Sequence, residues 1–154
     1  MDIESSLREA GLRVTKQRVA VLKLLIDKGS PLSHNEISQL LDEPLDKVTL
    51  YRVLETLLEA ELVHHVQGLD GVWRFCAHED VKAGSAEERQ HYKRVDCGRI
   101  FCLTDHPHFQ CVECGKMFCL TDQRMPRVDV PDGVTVEGKQ FVVYGRCGEC
   151  NSKK

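Results

Sequence analysis

The stretch DKVTLYRVLETLLEA, residues 46–60, decides the fold of the N-terminal half. It predicts a helix that begins after a capping Asp46 and ends near Ala60. At 100° per residue its aliphatic side chains fall on one face, which predicts that they are buried: Leu50, Val53, Leu54, Leu57 and Leu58. Thr49, Arg52 and Thr56 fall on the other face, with Tyr51 at its boundary. This helix therefore presents polar groups to solvent.

The residues before this stretch predict three further helices. A short one ends at Gly11, and a second, Lys16–Lys28, begins after Thr15 and stops at Gly29. Ser33-His34-Asn35-Glu36 is a capping box, in which the Ser and Glu side chains satisfy each other's backbone N–H groups, and it opens a third helix.

The residues after the stretch predict a β-hairpin. Leu62–Val66 and Val72–Cys76 flank a turn at Gly68–Gly71. Helices followed by a hairpin make a winged helix, whose exposed Thr, Tyr and Arg suit readout of a DNA major groove. A small helical bundle with a solvated polar face explains the periodicity equally well.

The C-terminal half predicts a small α/β unit. Turn residues separate four short β-like runs, namely His108–Cys111, Lys116–Leu120, Val134–Val136 and Phe141–Tyr144. The polar segment 78–103 between the halves reads as a hinge or insertion. The predicted fold is therefore α+β, with a winged-helix domain at 1–77 and a small α/β domain at 104–154.

Composition narrows the functional classes. The 154 residues include 42% apolar residues, but no run reaches the roughly 18–20 residues of a membrane span. The start of the chain has no signal-peptide pattern, so we expect a cytoplasmic protein without membrane contact. Its eight cysteines then favour metal ligation over a secreted disulfide scaffold. The net charge of −3 means that a DNA-binding role must rest on pattern.

Two Cys-x-x-Cys pairs give the strongest chemical signal. Cys111 and Cys114 form the first pair, and Cys147 and Cys150 form the second. Two residues between thiolates let both sulfurs reach one ion, so the pairs together predict a closed, tetrahedral zinc site. The site would be structural, because it leaves no open position. A redox dithiol is the alternative.

A looser set of His and Cys residues predicts a second metal site. Its members are His65, Cys76, His106, His108 and Cys119. A metal held by residues of both halves would fix their relative angle and so act as a switch. A nearby repeat, in which Cys97–Asp105 matches Cys114–Asp122 at seven of nine positions, suggests a local duplication.

The chain resembles the ferric uptake regulator family of metal-sensing repressors over nearly its whole length. The residues that carry this resemblance are Gly11–Arg18, Val48–Leu54, Leu62-Val63, the run from His106 to Gly115, and Gly145–Cys150. The resemblance implies that 104–154 is a zinc-stapled α/β dimerisation domain with a four-cysteine site. It further implies a dimer that closes on palindromic promoter DNA when a regulatory metal binds at the interdomain hinge. It also implies that Tyr51 and its neighbours Thr49 and Arg52 lie on the recognition helix, with Lys16 and Arg18 near the phosphate backbone.

The hinge ligands favour zinc. Positions that carry carboxylates in iron-sensing members look like Cys76 and Cys119 here, and the spacing from His65 to Cys76 is similar to that of zinc-sensing members. Thiolates are soft ligands that suit Zn²⁺. The sequence therefore predicts a zinc-responsive repressor rather than an enzyme. The alternatives are an iron, manganese or peroxide sensor of the same family, a thiol oxidoreductase, and a zinc-ribbon module without a DNA role.

Overall fold

The structure is a computed structural model that describes residues 2–77, 106–120, 128–136 and 140–153. The chain divides into two compact units, Met1–Lys82 and Ala83–Lys154. The predicted hinge or insertion at 78–103 lies outside the described residues, as do Cys97 and Cys102. Among the residues that are described, no helix is long and apolar enough to cross a membrane.

Four helices form most of the first unit, namely α1 (Ile3–Glu9), α2 (Lys16–Lys28), α3 (His34–Leu40) and α4 (Lys47–Glu59). Their starts confirm the predicted caps. The Thr15 hydroxyl accepts a hydrogen bond from the backbone N–H of Arg18. Ser33 and Glu36 form the reciprocal capping box, and the Asp46 carboxylate accepts from the N–H of Thr49 at 3.2 Å. The C-cap Gly29 is left-handed, with φ at 61°.

The apolar face of α4 supplies the centre of the core, as predicted. Leu50, Leu54 and Leu57 are buried and belong to one hydrophobic cluster with residues of α2, which are Val21, Leu22 and Leu25. The opposite side of α4 stays in solvent, and the Tyr51 side chain is 61% exposed. The helix therefore uses one face for stability and leaves the other available for contacts.

A three-stranded sheet completes this unit. β1 (Leu32–Ser33) pairs with β3 (Trp73–Cys76), which pairs in turn with β2 (His64–Gln67), all antiparallel. Gly68 and Gly71 close the turn between β2 and β3, and Gly71 adopts a φ of 78°. We refer to residues 64–76 as the wing. The predicted winged-helix architecture is thus confirmed, and the simple helical bundle is excluded.

The second unit contains a separate three-stranded sheet. β4 (His108–Cys111) lies at its centre, antiparallel to β5 (Met117–Cys119) and parallel to β6 (Val142–Gly145). A short helix, α5 (Gly148–Ser152), follows β6. Three of the four predicted β-like runs are therefore strands, and this part of the chain is the small α/β unit that the sequence predicted.

The prediction of a strand at Val134–Val136 is wrong. These residues have no regular structure, and the Val134 side chain is 52% exposed. Val128 and Val130, in the same segment, are exposed as well. The alternation of apolar residues resembled a strand, but the N–H of Val134 donates to the Pro131 carbonyl at 3.3 Å, which is a local turn contact.

Candidate metal centres and nucleic-acid interface

Strand pairing brings the two Cys-x-x-Cys pairs together. β4 ends at Cys111, which lies opposite Gly145 at the end of β6. The N–H of Val112 continues this pairing by donating to the Gly145 carbonyl at 2.7 Å. The chain then turns at Gly115, with φ at 76°, on one side and enters α5 at Cys147 on the other. Both cysteine pairs therefore start from adjacent strand ends.

The four sulfur atoms form one compact cluster. All lie within 4.8 Å of one another, with Cys111 and Cys150 separated by 3.7 Å and Cys114 and Cys147 by 3.8 Å. A tetrahedron of sulfurs around zinc, at about 2.3 Å from the ion, has edges of about 3.8 Å. The spacing of the sulfurs therefore fits a four-thiolate zinc site.

The pKa values of the cysteine thiols indicate how the cluster would favour a bound cation. Backbone N–H groups of Cys114 and then Cys147 donate to the Cys111 sulfur and lower its pKa to about 6. The neighbouring Cys147 sulfur and then burial raise the pKa of Cys150 to about 12. Backbone dipoles thus stabilise one thiolate, while the crowding of sulfurs opposes a second negative charge. A bound cation would offset the repulsion between the negatively charged thiolates.

In the first unit, His64 and Cys76 form a buried donor pair. They are Cα partners across β2 and β3, so their side chains lie on the same face of the wing. His64 Nε2 and Cys76 Sγ are 2.8 Å apart, at hydrogen-bond distance, and both residues are buried. An imidazole nitrogen next to a thiol is a donor set that suits zinc.

The sequence analysis chose His65 for this role, and the structure places its side chain elsewhere. His65 lies on the opposite face of β2, where its ring stacks on Trp73 with centroids 4.4 Å apart. The reason is strand alternation, since one residue along a strand reverses the side-chain direction. His64, which the sequence analysis left out, replaces His65 as the candidate ligand.

In the second unit, His106 and His108 form another buried donor pair. Their ring centroids are 4.5 Å apart. Cys119 lies opposite His108 in the β4–β5 register, but its sulfur is outside the cluster of ligand atoms that contains the two histidines. Of the predicted regulatory ligands in this unit, the structure therefore brings the rings of His106 and His108 together, and Cys119 lies across the strand pair from His108.

The predicted DNA-contacting residues occupy the starts of α2 and α4. Tyr51, Arg52 and Lys16 are exposed. Arg18 is half-buried, and its guanidinium donates to the Arg13 carbonyl at 2.7 Å. The Thr49 hydroxyl donates to the Asp46 carboxylate within the cap of α4. Tyr51 and Arg52 are consequently the predicted residues best placed to reach a partner.

A winged helix joined to a cysteine-rich α/β unit is an architecture of metal-dependent DNA-binding regulators. The family model of the ferric uptake regulator family matches residues 9–106, and the chain therefore belongs to that family. The family consists of transcription regulators, not enzymes.

Similar proteins cover almost the whole chain. A ferric uptake regulation protein of Vibrio cholerae is 26% identical over 159 residues, which cover 99% of this chain and 92% of the relative. The crystal structure of the Vibrio cholerae ferric uptake regulator covers 95% of this chain and 100% of its own, with 20% identity and a TM-score of 0.57. The structure of a zinc uptake regulator complexed with zinc and DNA covers 97% of this chain and 91% of its own, with 21% identity and a TM-score of 0.60.

Proposed function

We propose that this protein is a zinc-responsive transcriptional repressor, a cytoplasmic homodimer that binds palindromic promoter DNA when zinc occupies a regulatory site. Family membership supports the coarser statement, a metal-responsive transcription repressor. The observation that carries the choice of zinc is the buried pairing of His64 Nε2 with Cys76 Sγ at 2.8 Å. Sulfur and imidazole donors favour zinc, whereas iron and manganese sites favour oxygen donors.

The regulatory site in this proposal consists of His64 and Cys76 from the first unit with His106 and His108 from the second. Each pair alone offers two donors, which is half of a tetrahedral set. A metal that needs both pairs would hold the two units in one arrangement and select it from the arrangements available without metal. Ligation would also replace the His64–Cys76 hydrogen bond and require a deprotonated thiol, so we expect regulatory affinity to rise with pH.

The structural site in this proposal is the four-cysteine cluster. Its geometry fits zinc, and a closed set of four thiolates leaves no position for a substrate or a reacting water. The same set argues against a thiol oxidoreductase, which needs an exposed, low-pKa cysteine. Here Cys111, the cysteine with the lowered pKa, is buried.

Dimerisation is supported by exposed apolar side chains in the second unit. Large apolar residues that are at least 40% exposed there include Phe118, Val128, Val130, Val134 and Val143. Exposed apolar surface of this kind marks interaction sites. Two DNA-binding units would then match the two halves of a palindrome. Sedimentation of the zinc-loaded protein should give the mass of a dimer.

Metal content tests the proposal. We expect two zinc ions per protomer after purification under reducing conditions and one after mild chelation, because a four-thiolate site resists chelators better than a mixed site. His64→Ala should contain one zinc from the outset. His65→Ala removes the same side chain one residue away, on the opposite face of β2, and should keep two.

The two variants also separate the proposal from its alternatives. Equal zinc content in His64→Ala and His65→Ala would remove His64 from the regulatory site. A single zinc in the wild-type protein, with tight binding of Fe²⁺ or Mn²⁺ to the remaining site, would instead identify an iron or manganese sensor. The similarity to ferric uptake regulation proteins favours this second candidate, the iron or manganese sensor.

A further inference from the structure

The first unit contains a cleft that the proposed metal sites do not use and that shares Tyr51 with the proposed DNA-contacting face. It has a volume of about 580 Å³ and lies between α4, the start of α3 and the wing. This volume is within the range of small-molecule sites, roughly 300–1,000 Å³. The cleft lies on the face of the wing opposite to His64 and Cys76, because His65 and Trp73 line it. It is therefore distinct from the metal donors.

Aromatic rings form the walls of this cleft. His65 and Trp73 are stacked with an interplanar angle of 30°, and His34 lies 5.8 Å from Tyr51 between ring centroids. Phe75 lines the cleft as well. Trp73 and Tyr51 are 45% and 61% exposed, so much of this aromatic surface is in contact with solvent. Such rings favour a flat ligand that can stack against them.

Polar groups of the cleft limit the charge of a ligand. Lys47 and Glu55 both line it and have opposite charges, so the pair gives no net preference for an anion or a cation. The Asn35 side chain adds an amide, which can both donate and accept hydrogen bonds. These groups suit an uncharged ligand with a polar edge.

His34 supplies the observation that points most directly to a ligand. Its Nε2 atom is buried and has no hydrogen-bond partner among the described residues. A buried polar atom without a partner costs free energy. Because this nitrogen has no accessible surface in the unliganded cleft, the His34 ring has to rotate before a hydrogen-bonding group at the edge of a stacked ligand can satisfy it.

We infer that the cleft between α4 and the wing binds an uncharged planar heteroaromatic molecule, of the size and polarity of a purine base. Stacking on the His65–Trp73 wall holds the ring, and the His34 nitrogen and the Asn35 amide hydrogen-bond its edge. Because the cleft is lined by α4 and the wing together, an occupant would contact both elements.

The test uses the fluorescence of Trp73. This residue is the only tryptophan of the chain, so its emission reports on the cleft without background from other sites. Adenine is titrated into the full-length, zinc-loaded protein, with excitation where adenine does not absorb, and ribose serves as the non-aromatic control. We expect saturable quenching by adenine and no change with ribose.

Two variants on the same helix make the test specific. His34→Phe keeps an aromatic ring but removes the nitrogen, and it should weaken adenine binding by roughly tenfold, the effect of about one hydrogen bond. Gln39→Ala lies on α3 outside the cleft and should bind as the wild type does. Circular dichroism and zinc content confirm that both variants are folded.

Two outcomes would contradict the inference that the cleft binds a planar heteroaromatic ligand. Quenching that rises linearly without saturation, and equally in His34→Phe, would mean random collisions and would overturn the inference. Quenching by duplex DNA but not by adenine would assign the cleft to the DNA surface instead. In both cases the metal counts of His64→Ala and His65→Ala would be unaffected, so the proposed function is tested separately.

Discussion

In the wing, a nearly buried arginine, Arg74, is paired with the Asp70 carboxylate. The Arg74 guanidinium is only 9% exposed and binds both oxygens of the Asp70 carboxylate, at 2.8 and 3.1 Å. We expect Asp70→Asn to reduce the free energy of unfolding by about 1–2 kcal/mol, because a buried cation loses its partner. The Glu4–Arg8 pair has the same i,i+4 spacing but is exposed on both sides, so Glu4→Gln is the control and should cost at most about 0.5 kcal/mol. Urea unfolding followed by Trp73 fluorescence measures both, and equal losses would contradict the burial argument.

The same pair predicts a pH dependence. The hydrogen bonds from Arg74 lower the pKa of Asp70 from 3.8 to about 2. A lowered pKa means that the ionised group stabilises the fold above pH 3.8. This contribution is lost as the pH falls from 3.8 towards 2. We expect the stability of the wild type to fall more steeply than that of Asp70→Asn in this range. Since half-exposed charges are screened by solvent, the difference should be small, and parallel curves would exclude the pair as its source.

At the residue scale, the sequence predicted the types of ligand in the wing but not which of His64 and His65 faces Cys76. The presence of a hairpin, the ligand types and Cys76 itself were all readable from residue patterns. The register was not, because it depends on the length of the turn, and a turn longer by one residue changes which side chain faces Cys76. In the structure Gln67 pairs with Trp73, which sets His64 opposite Cys76. Counting residues from Gly68–Gly71 alone did not establish this register.

At the scale of the element, α4 has the clearest functional face. Its caps and apolar stripe follow from local chemistry, and the sequence predicted both correctly. We expect Arg52→Ala to weaken specific DNA binding by about 1–3 kcal/mol, if the guanidinium contacts a base, without changing the zinc content. Lys23→Ala removes an exposed positive charge from α2 and serves as the control. Fluorescence anisotropy with operator DNA measures both. Equal effects would mean that Arg52 contributes only to the general electrostatic attraction.

Strand prediction was less reliable, for a physical reason. The runs that became β4, β5 and β6 were predicted correctly, and β4 and β6 each lead directly into a cysteine pair. Val134–Val136 has a comparable apolar pattern but has no regular structure. A strand needs a neighbour that satisfies its backbone groups, and a local sequence pattern does not contain that information.

At the scale of the whole molecule, the two units differ in what stabilises them. The first has a cluster of fourteen buried residues from helices and sheet. In the second, the hydrophobic cluster of described residues consists of Cys111, Cys147 and Cys150, with Phe109 packed against it. A core made largely of metal ligands depends on the metal, whose binding free energy is then folding free energy. The first unit should therefore fold without zinc, and the second should not.

Cys114→Ser tests this difference, since it removes one of the four thiolates at an exposed position without opening a large cavity. We expect amide hydrogens of β4 and β6 to lose their protection from exchange, while those of α2 and α4 keep theirs. Cys119→Ser is the matched control, because it is a cysteine of the same sheet outside the cluster, and its exchange should equal that of the wild type. If β4 and β6 stay protected in Cys114→Ser, the exposed apolar surface of the second unit must stabilise it through dimerisation instead. The protection would then depend on protein concentration, whereas metal-dependent folding within one protomer would not.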